Sequence, residues 1–425
     1  MQRNIPSAAA LMLSASCAIA LATTAATAAP IDIPLWRHES GDIEVTVTRT
    51  LIEDFNRSQQ KYKVVYENLP KGSYTQSVTA AAVAKKLPCL IDMDQPTVAN
   101  FAWSGYVQPL DKLLDKTLQA DLLEGGKGSY KGVLYSVGQF DVVLALFARK
   151  SALAKAGVRI ATIAQPWTLA ETKEAFAKLR KLPEYEYVID IHNSYDGEWW
   201  TYAYSPWLQS FGGDLIDRKS MTSADGVLNG KPAVDFGSWF QGLFKKGYVN
   251  KKPADDKSFL QGRVALDYAG SWAYDDAYKK WGDDVVVMPV PDFGTGPKIG
   301  AASWQYGIST SCPHPEGAAA FVNFMVQPAT VAKLSQGTQL LPANKRAAPM
   351  TTAYREGGKL RFYFDFAQKY AVNRPSTPGY PFLTSTFENA LRDISTGADV
   401  QGTLDRAADA IDRNIADNKN YGFKR

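Results

Sequence analysis

Histidine and cysteine are scarce, with 3 of each in 425 residues. His38, His192 and His314 lie far apart, and with so few cysteines they make no ligand spacing of a zinc site. Cys17 falls in an N-terminal leader, which leaves Cys89 and Cys312; two thiols are no disulfide framework, and whether they pair stays open from sequence. A dominant charge sign is also missing. Lys and Arg number 47 against 43 Asp and Glu, without a dense basic run, so nucleic acid is not an expected partner. Beyond the leader no apolar run reaches the roughly 20 residues of a membrane helix. No solenoid-period repeat, Gly-x-Ser-x-Gly elbow or His–Glu metal signature occurs. Neither a metal nor a cofactor is expected.

The leader has a recognisable grammar. Arg3 is the only charge in the first thirty residues, an Ala-rich apolar run spans Ala8 to Ala22, and Ala26-Thr27-Ala28 offers a cleavage site. That order predicts a secretory signal peptide over 1–28 and a periplasmic mature chain. A lipid anchor at Cys17 is the lesser alternative, since Ser14 stands where a lipid-attachment box has Leu. About 400 residues remain, a length suited to two domains.

Ile31, Ile33 and Leu35 alternate as a strand, and Val47, Leu51 and Phe55 repeat at helical spacing. Strands follow at Tyr62–Tyr66, Leu90–Met93, Val142–Phe147, Val264–Tyr268 and Val285–Met288, with helices between them. This order predicts α/β domains built on parallel sheets. Thr168 with Glu171 three residues on predicts a capped helix start. In such sheets the ligand crevice lies beyond the carboxyl ends of the strands. The loops from Trp36, after Met93 and at Ala269-Gly270-Ser271-Trp272 are therefore candidate ligand loops.

An ordered series of short motifs then resembles the family 1 extracellular solute-binding proteins, which include maltose- and glycerol-phosphate-binding members. The series contains Trp36 after the first strand, Gly105-Tyr106-Val107-Gln108-Pro109-Leu110-Asp111 and Pro166-Trp167-Thr168. It continues with the aromatic segment Trp199–Asp214 and with Phe259–Leu266 followed by Gly270-Ser271-Trp272. Pro88-Cys89 departs from the family's usual Pro-Asp. The resemblance covers nearly all of the mature chain. It implies two α/β lobes joined by a multi-crossing hinge and no catalysis. Lobe one would be 31–140 plus 292–342, and lobe two 141–291 plus 343–425. The crossings would fall near Gln139–Val142, Pro289–Phe293 and Leu341–Asn344. The partners it implies are a small carbohydrate-like ligand and the membrane permease subunits of an ABC importer, with the receptor itself a monomer.

A sugar offers C–H faces to aromatic rings and hydroxyls to carboxylates, amides and guanidinium groups. Trp272, beside Gly270 and Ser271 at a strand end, is the leading candidate contact. Of the adjacent Trp199 and Trp200, one should face the cleft while the other packs. Arg37, His38 and Glu39 occupy the first loop, Gln95 follows the third strand, and Gln139 and Asp141 lie at the first crossing. Ser303 and Trp304 follow the second crossing. Arg37 and His38 also motivate an anionic polyol or sugar as the alternative ligand. A secreted glycan hydrolase would need paired carboxylates, and the spacing of Glu39, Asp94, Asp141 and Glu198 pairs none. An adhesive or structural envelope protein would need no concave aromatic site.

Overall fold

The computed structural model describes residues 1–2, 29–70, 73–301 and 303–424. Apart from its first two residues, the leader, with Arg3 and Cys17, lies outside the described residues. The first strands in chain order are β1 (Ile31–His38), β2 (Tyr62–Leu69), β3 (Leu90–Asp94), β4 (Lys127–Tyr130) and β5 (Val133–Val137). Next come β6 (Phe140–Asp141), β7 (Leu144–Arg149), β8 (Tyr187–Asp190), β9 (Val264–Gly270) and β10 (Val285–Met288). The last are β11 (Ile299–Ala301), β12 (Trp304–Ile308), β13 (Leu341–Pro342) and β14 (Ala371–Asn373).

Among the described residues these strands form two main sheets, one in each lobe. The first runs β2-β1-β3-β12-β5-β4 and the second β10-β7-β9-β8. The expectation of parallel sheets holds only in part. β1 pairs parallel with β2 and β3, whereas β12 pairs antiparallel with β3. In the second sheet β8 and β9 are parallel, but β7 is antiparallel to both β9 and β10. β12 is reached only after the chain has visited the other lobe, so it enters its sheet from the crevice side instead of through a helical crossover.

The central strands explain their own composition. Every residue of β9 is buried, as are the first five of β7, so both faces demand apolar side chains. Helix Asp42–Ser58 turns Leu51, Ile52 and Phe55 onto the first sheet, where Phe55 meets Phe321 edge-on at 5.3 Å. Tyr74, Val78, Met93, Val98 and Phe101 fill the opposite face. The second lobe packs Trp167, Phe176, Trp207, Phe236 and Phe240 with helices from the C-terminal third of the chain. Cys89 and Cys312 form a disulfide at the edge of the first sheet opposite the crevice.

The hinge uses β6 and β13, which pair antiparallel through Asp141↔Leu341 and Phe140↔Pro342. The passage Pro289–Phe293 does not cross as expected. Phe293 packs on Phe211 at 4.8 Å and on Trp239 at 4.7 Å, and β11 pairs with β14. That aromatic burial outweighs the Pro and Gly signals, and the chain leaves the second lobe only after Ala301. Gly300 is needed there, because a Cβ would come within 2.5 Å of the Tyr202 carbonyl. Pro206, four residues after Tyr202 and inside the same helix, has no N–H to offer that carbonyl.

Candidate functional site

β1 and β3 end side by side, and the first residue of antiparallel β12 returns beside them. Trp304 pairs with Asp94, so its indole lies at the crevice edge of the first sheet. There it stacks on the His38 imidazole at 3.6 Å, with Tyr74 edge-on to it at 5.6 Å. His38 is held from beneath, its Nδ1 donating to Asp92 Oδ2 at 2.7 Å and its backbone N–H donating to Asp92 Oδ1 at 3.0 Å. Burial pushes the Asp92 carboxyl up, but His38 and Arg37 more than offset this and hold it below the usual carboxylate range. Gln95 follows at the head of a short helical turn, buried, with its Oε1 unpartnered among the described residues.

The facing wall comes from the second lobe. β8 leads through a short loop to helix Glu198–Phe211, whose first two turns carry Glu198, Trp199 and Tyr202. Trp199 is half-buried; its Nε1 donates to the Ile191 carbonyl at 3.1 Å and its ring meets Tyr195 edge-on at 5.2 Å. The loop after β14 brings Arg374 above the Tyr202 ring, 5.3 Å from its centroid. Arg374 joins the walls. Its Nη1 and Nη2 donate to Asp94 at 2.9 and 2.7 Å, and Nη1 donates to Glu198 at 2.6 Å. The Tyr380 and Thr384 hydroxyls donate to the same Glu198 carboxylate. Burial raises the Glu198 pKa above the usual range, Arg374 opposes that shift, and Asp94 adds to it. Arg374 itself stays charged although burial opposes this, because both carboxylates face it.

β9 ends at Gly270, directly opposite Leu144 where β7 begins, so its end faces the hinge. Trp272 follows, 41 % exposed. A Cβ on Gly270 would come within 2.0 Å of the Trp272 indole, so the glycine lets the ring lie flat across the strand end. Among the described residues, no group of three His, Cys, Asp or Glu side chains could hold a metal ion.

The family model described as bacterial extracellular solute-binding protein matches residues 50–359. The chain belongs to that family. The sn-glycerol-3-phosphate-binding periplasmic protein UgpB of Yersinia enterocolitica is 26% identical, over 92% of this chain and 93% of that one. Among solved structures, the cyclic alpha-maltosyl-1,6-maltose binding protein of Arthrobacter globiformis is 20% identical at a TM-score of 0.76. It covers 91% of this chain and 100% of its own. The GacH receptor of Streptomyces glaucescens, solved unliganded and with acarbose, is 24% identical at a TM-score of 0.76, covering 93% of this chain and 100% of its own.

In this solute-binding protein the residues singled out from sequence divide into groups. His38, Gln95, Ser303 and Trp304 gather at the first wall, where the Gln95 N–H donates to the Ser303 carbonyl at 3.2 Å. Glu39 is exposed beside them, its N–H bonded to Leu69. Arg37 turns away. Its guanidinium donates to Asp92, Thr48 and Glu44 at 2.8–3.0 Å inside the first lobe. Gln139 and Asp141 are hinge groups: the Gln139 amide donates to Met325 O at 2.8 Å, and Asp141 Oδ1 accepts from the Val142 N–H at 2.8 Å. Trp200 is core, 2 % exposed, with Tyr204 and Phe240 against its ring. Trp199 is half-buried against Tyr195 and Tyr202 in the second lobe, and Gly270, buried Ser271 and exposed Trp272 lie at the end of β9. Sequence reasoning did not single out Arg374. The only local signal was an Arg-Pro step before a Pro/Gly-rich turn, Arg374-Pro375-Ser376-Thr377-Pro378-Gly379.

Proposed function

We propose that this chain captures a mono- or oligosaccharide or a glycoside in the interlobe groove and hands it unaltered to the permease subunits of an ABC importer. One observation carries the reading. The groove pairs ring surface on both walls with carboxylate, guanidinium and amide groups contributed by opposite lobes. Trp304, Trp199 and Trp272 supply faces for sugar C–H bonds, while Asp94, Gln95 and Glu198 supply rim acceptors. In this reading lobe one comprises about 31–140 and 304–340, and lobe two the rest of the mature chain, exported to the periplasm and monomeric. Ligand that touches both walls only when they approach shifts the open–closed population toward closure. Solved relatives of the same fold are described with cyclic maltosyl-maltose, acarbose and mannobiose, which supports the sugar class.

A thermal-shift screen of the mature chain against neutral mono- and oligosaccharides and glycosides tests this. A concentration-dependent rise in Tm is expected for at least one, as selective binding to the folded state requires. Chromatography of that ligand after prolonged incubation should recover it intact. Hydrolysis products would replace the receptor reading with a glycan hydrolase.

A further inference from the structure

We infer that the groove selects uncharged saccharides and rejects phosphorylated or carboxylated ones, because its arginine is already neutralised by two carboxylates. This rests on the sugar-capture reading above and narrows its ligand class. A protein that holds a phosphate or carboxylate presents a guanidinium fork, an ammonium or an open helix N-terminus to it. The arginine fork at these walls has protein anions on it. Arg374 gives both terminal nitrogens to Asp94 Oδ1 and Oδ2, and Nη1 also reaches Glu198 Oε1. One positive charge thus faces two negative ones, and the guanidinium fork is filled from opposite lobes.

The N-terminus of the second-lobe helix that carries Glu198 also has carboxylates on it. Helix Glu198–Phe211 begins with Glu198 itself, and the preceding Gly197 N–H donates to Glu388 Oε1 at 2.9 Å. The second arginine at the strand ends, Arg37, faces Asp92 and Glu44 and is buried in the first lobe. A dianionic phosphate set between the walls would meet Asp94 and Glu198 at short range in a partly desolvated groove, where like charges repel more strongly than in water. A sugar hydroxyl meets no such cost. It donates to these carboxylates or to Gln95 Oε1, a buried acceptor without a partner among the described residues. Asp94 and Glu198 are therefore specificity-determining residues as well as rim acceptors.

Calorimetric titration of the mature chain with maltotriose, glucose, glucose 6-phosphate, glucuronate and glycerol 3-phosphate tests the inference, run together with Glu198→Gln and Asp94→Asn. The wild type should bind its best uncharged sugar at least 100-fold more tightly than any of the anions. Either variant, checked as folded by circular dichroism, frees part of the Arg374 fork and should narrow that ratio at least tenfold. Wild-type affinity for glucose 6-phosphate, glucuronate or glycerol 3-phosphate equal to or above that for the sugars would overturn the inference alone. Two folded variants with an unchanged ratio would also overturn it. Failure of these compounds and of every neutral sugar in the thermal-shift screen would remove the sugar-capture reading and this inference with it.

Discussion

Trp272 combines exposure with a defined pose, since Gly270 leaves room for its ring and it joins no core cluster among the described residues. Replacing it with Ala should weaken sugar binding by more than about 1 kcal/mol, the mark of an important contact residue. The melting temperature should stay near that of the wild type. Calorimetry with paired thermal melts checks both, and unchanged affinity would remove Trp272 from the site. A second residue-scale expectation concerns His192, whose Nε2 donates to Asp267 Oδ1 at 2.8 Å in the second lobe. Burial opposes its charge, but Asp267 and Asp190 outweigh burial and lift its pKa from 6.5 to about 9. A folded pKa above the unfolded one stabilises fully below about pH 6.5, and the gain is lost as pH rises through about 9. Denaturant unfolding of wild type and Asp267→Asn across pH 6 to 10 should show a steeper decline in the wild type, because Asp267 is the largest of the charges that raise the His192 pKa. The variant should also be less stable at pH 6.5 by about 3 kcal/mol, the usual cost of breaking a buried pair.

At the scale of elements, what could be read from sequence was what is local. The Thr168–Glu171 capping box forms as expected: Thr168 Oγ1 accepts from the Glu171 N–H at 3.2 Å, and Glu171 Oε2 accepts from the Thr168 N–H at 2.9 Å. Thr168→Ala should cost about 1 kcal/mol, measurable as a shift in urea midpoint with unchanged slope. Strands β7 and β9 were legible because double-sided burial leaves a continuous apolar run. The crossing at Pro289–Phe293 was misread because punctuation by Pro and Gly carries no information about Phe293's distant partners, Phe211 and Trp239. The site was legible only at its strand ends. Gln95 and Trp272 follow from where strands stop, and Trp304, which opens β12, from the expected return of the chain to the first lobe. Arg374 does not, because it is placed by pairing with Asp94 and Glu198, 280 and 176 residues away. The same limit explains Trp199 and Trp200, whose opposite fates depend on the core packing of Tyr204 and Phe240.

Across the whole molecule the lobes are tied by side chains as well as by the hinge. Besides Arg374 with Asp94, the Asn100 amide donates to Pro378 O at 2.8 Å and the Tyr130 hydroxyl donates to Tyr421 O at 3.0 Å. The first lobe is stapled internally by Cys89–Cys312, which spans 223 residues of sequence. Because most of that span folds into the other lobe, reduction should destabilise the first lobe by about 2–4 kcal/mol. Two-transition calorimetric melts with and without reductant should show only one transition moving. The central claim is that two lobes close on a small saccharide without chemistry. Small-angle X-ray scattering, recorded on the mature chain with and without the tightest ligand from the screen, tests it most directly. Closure requires a smaller radius of gyration at saturation and recovery of the ligand intact from the same sample. A radius of gyration unchanged by a saturating ligand, or a cleaved ligand, would contradict it.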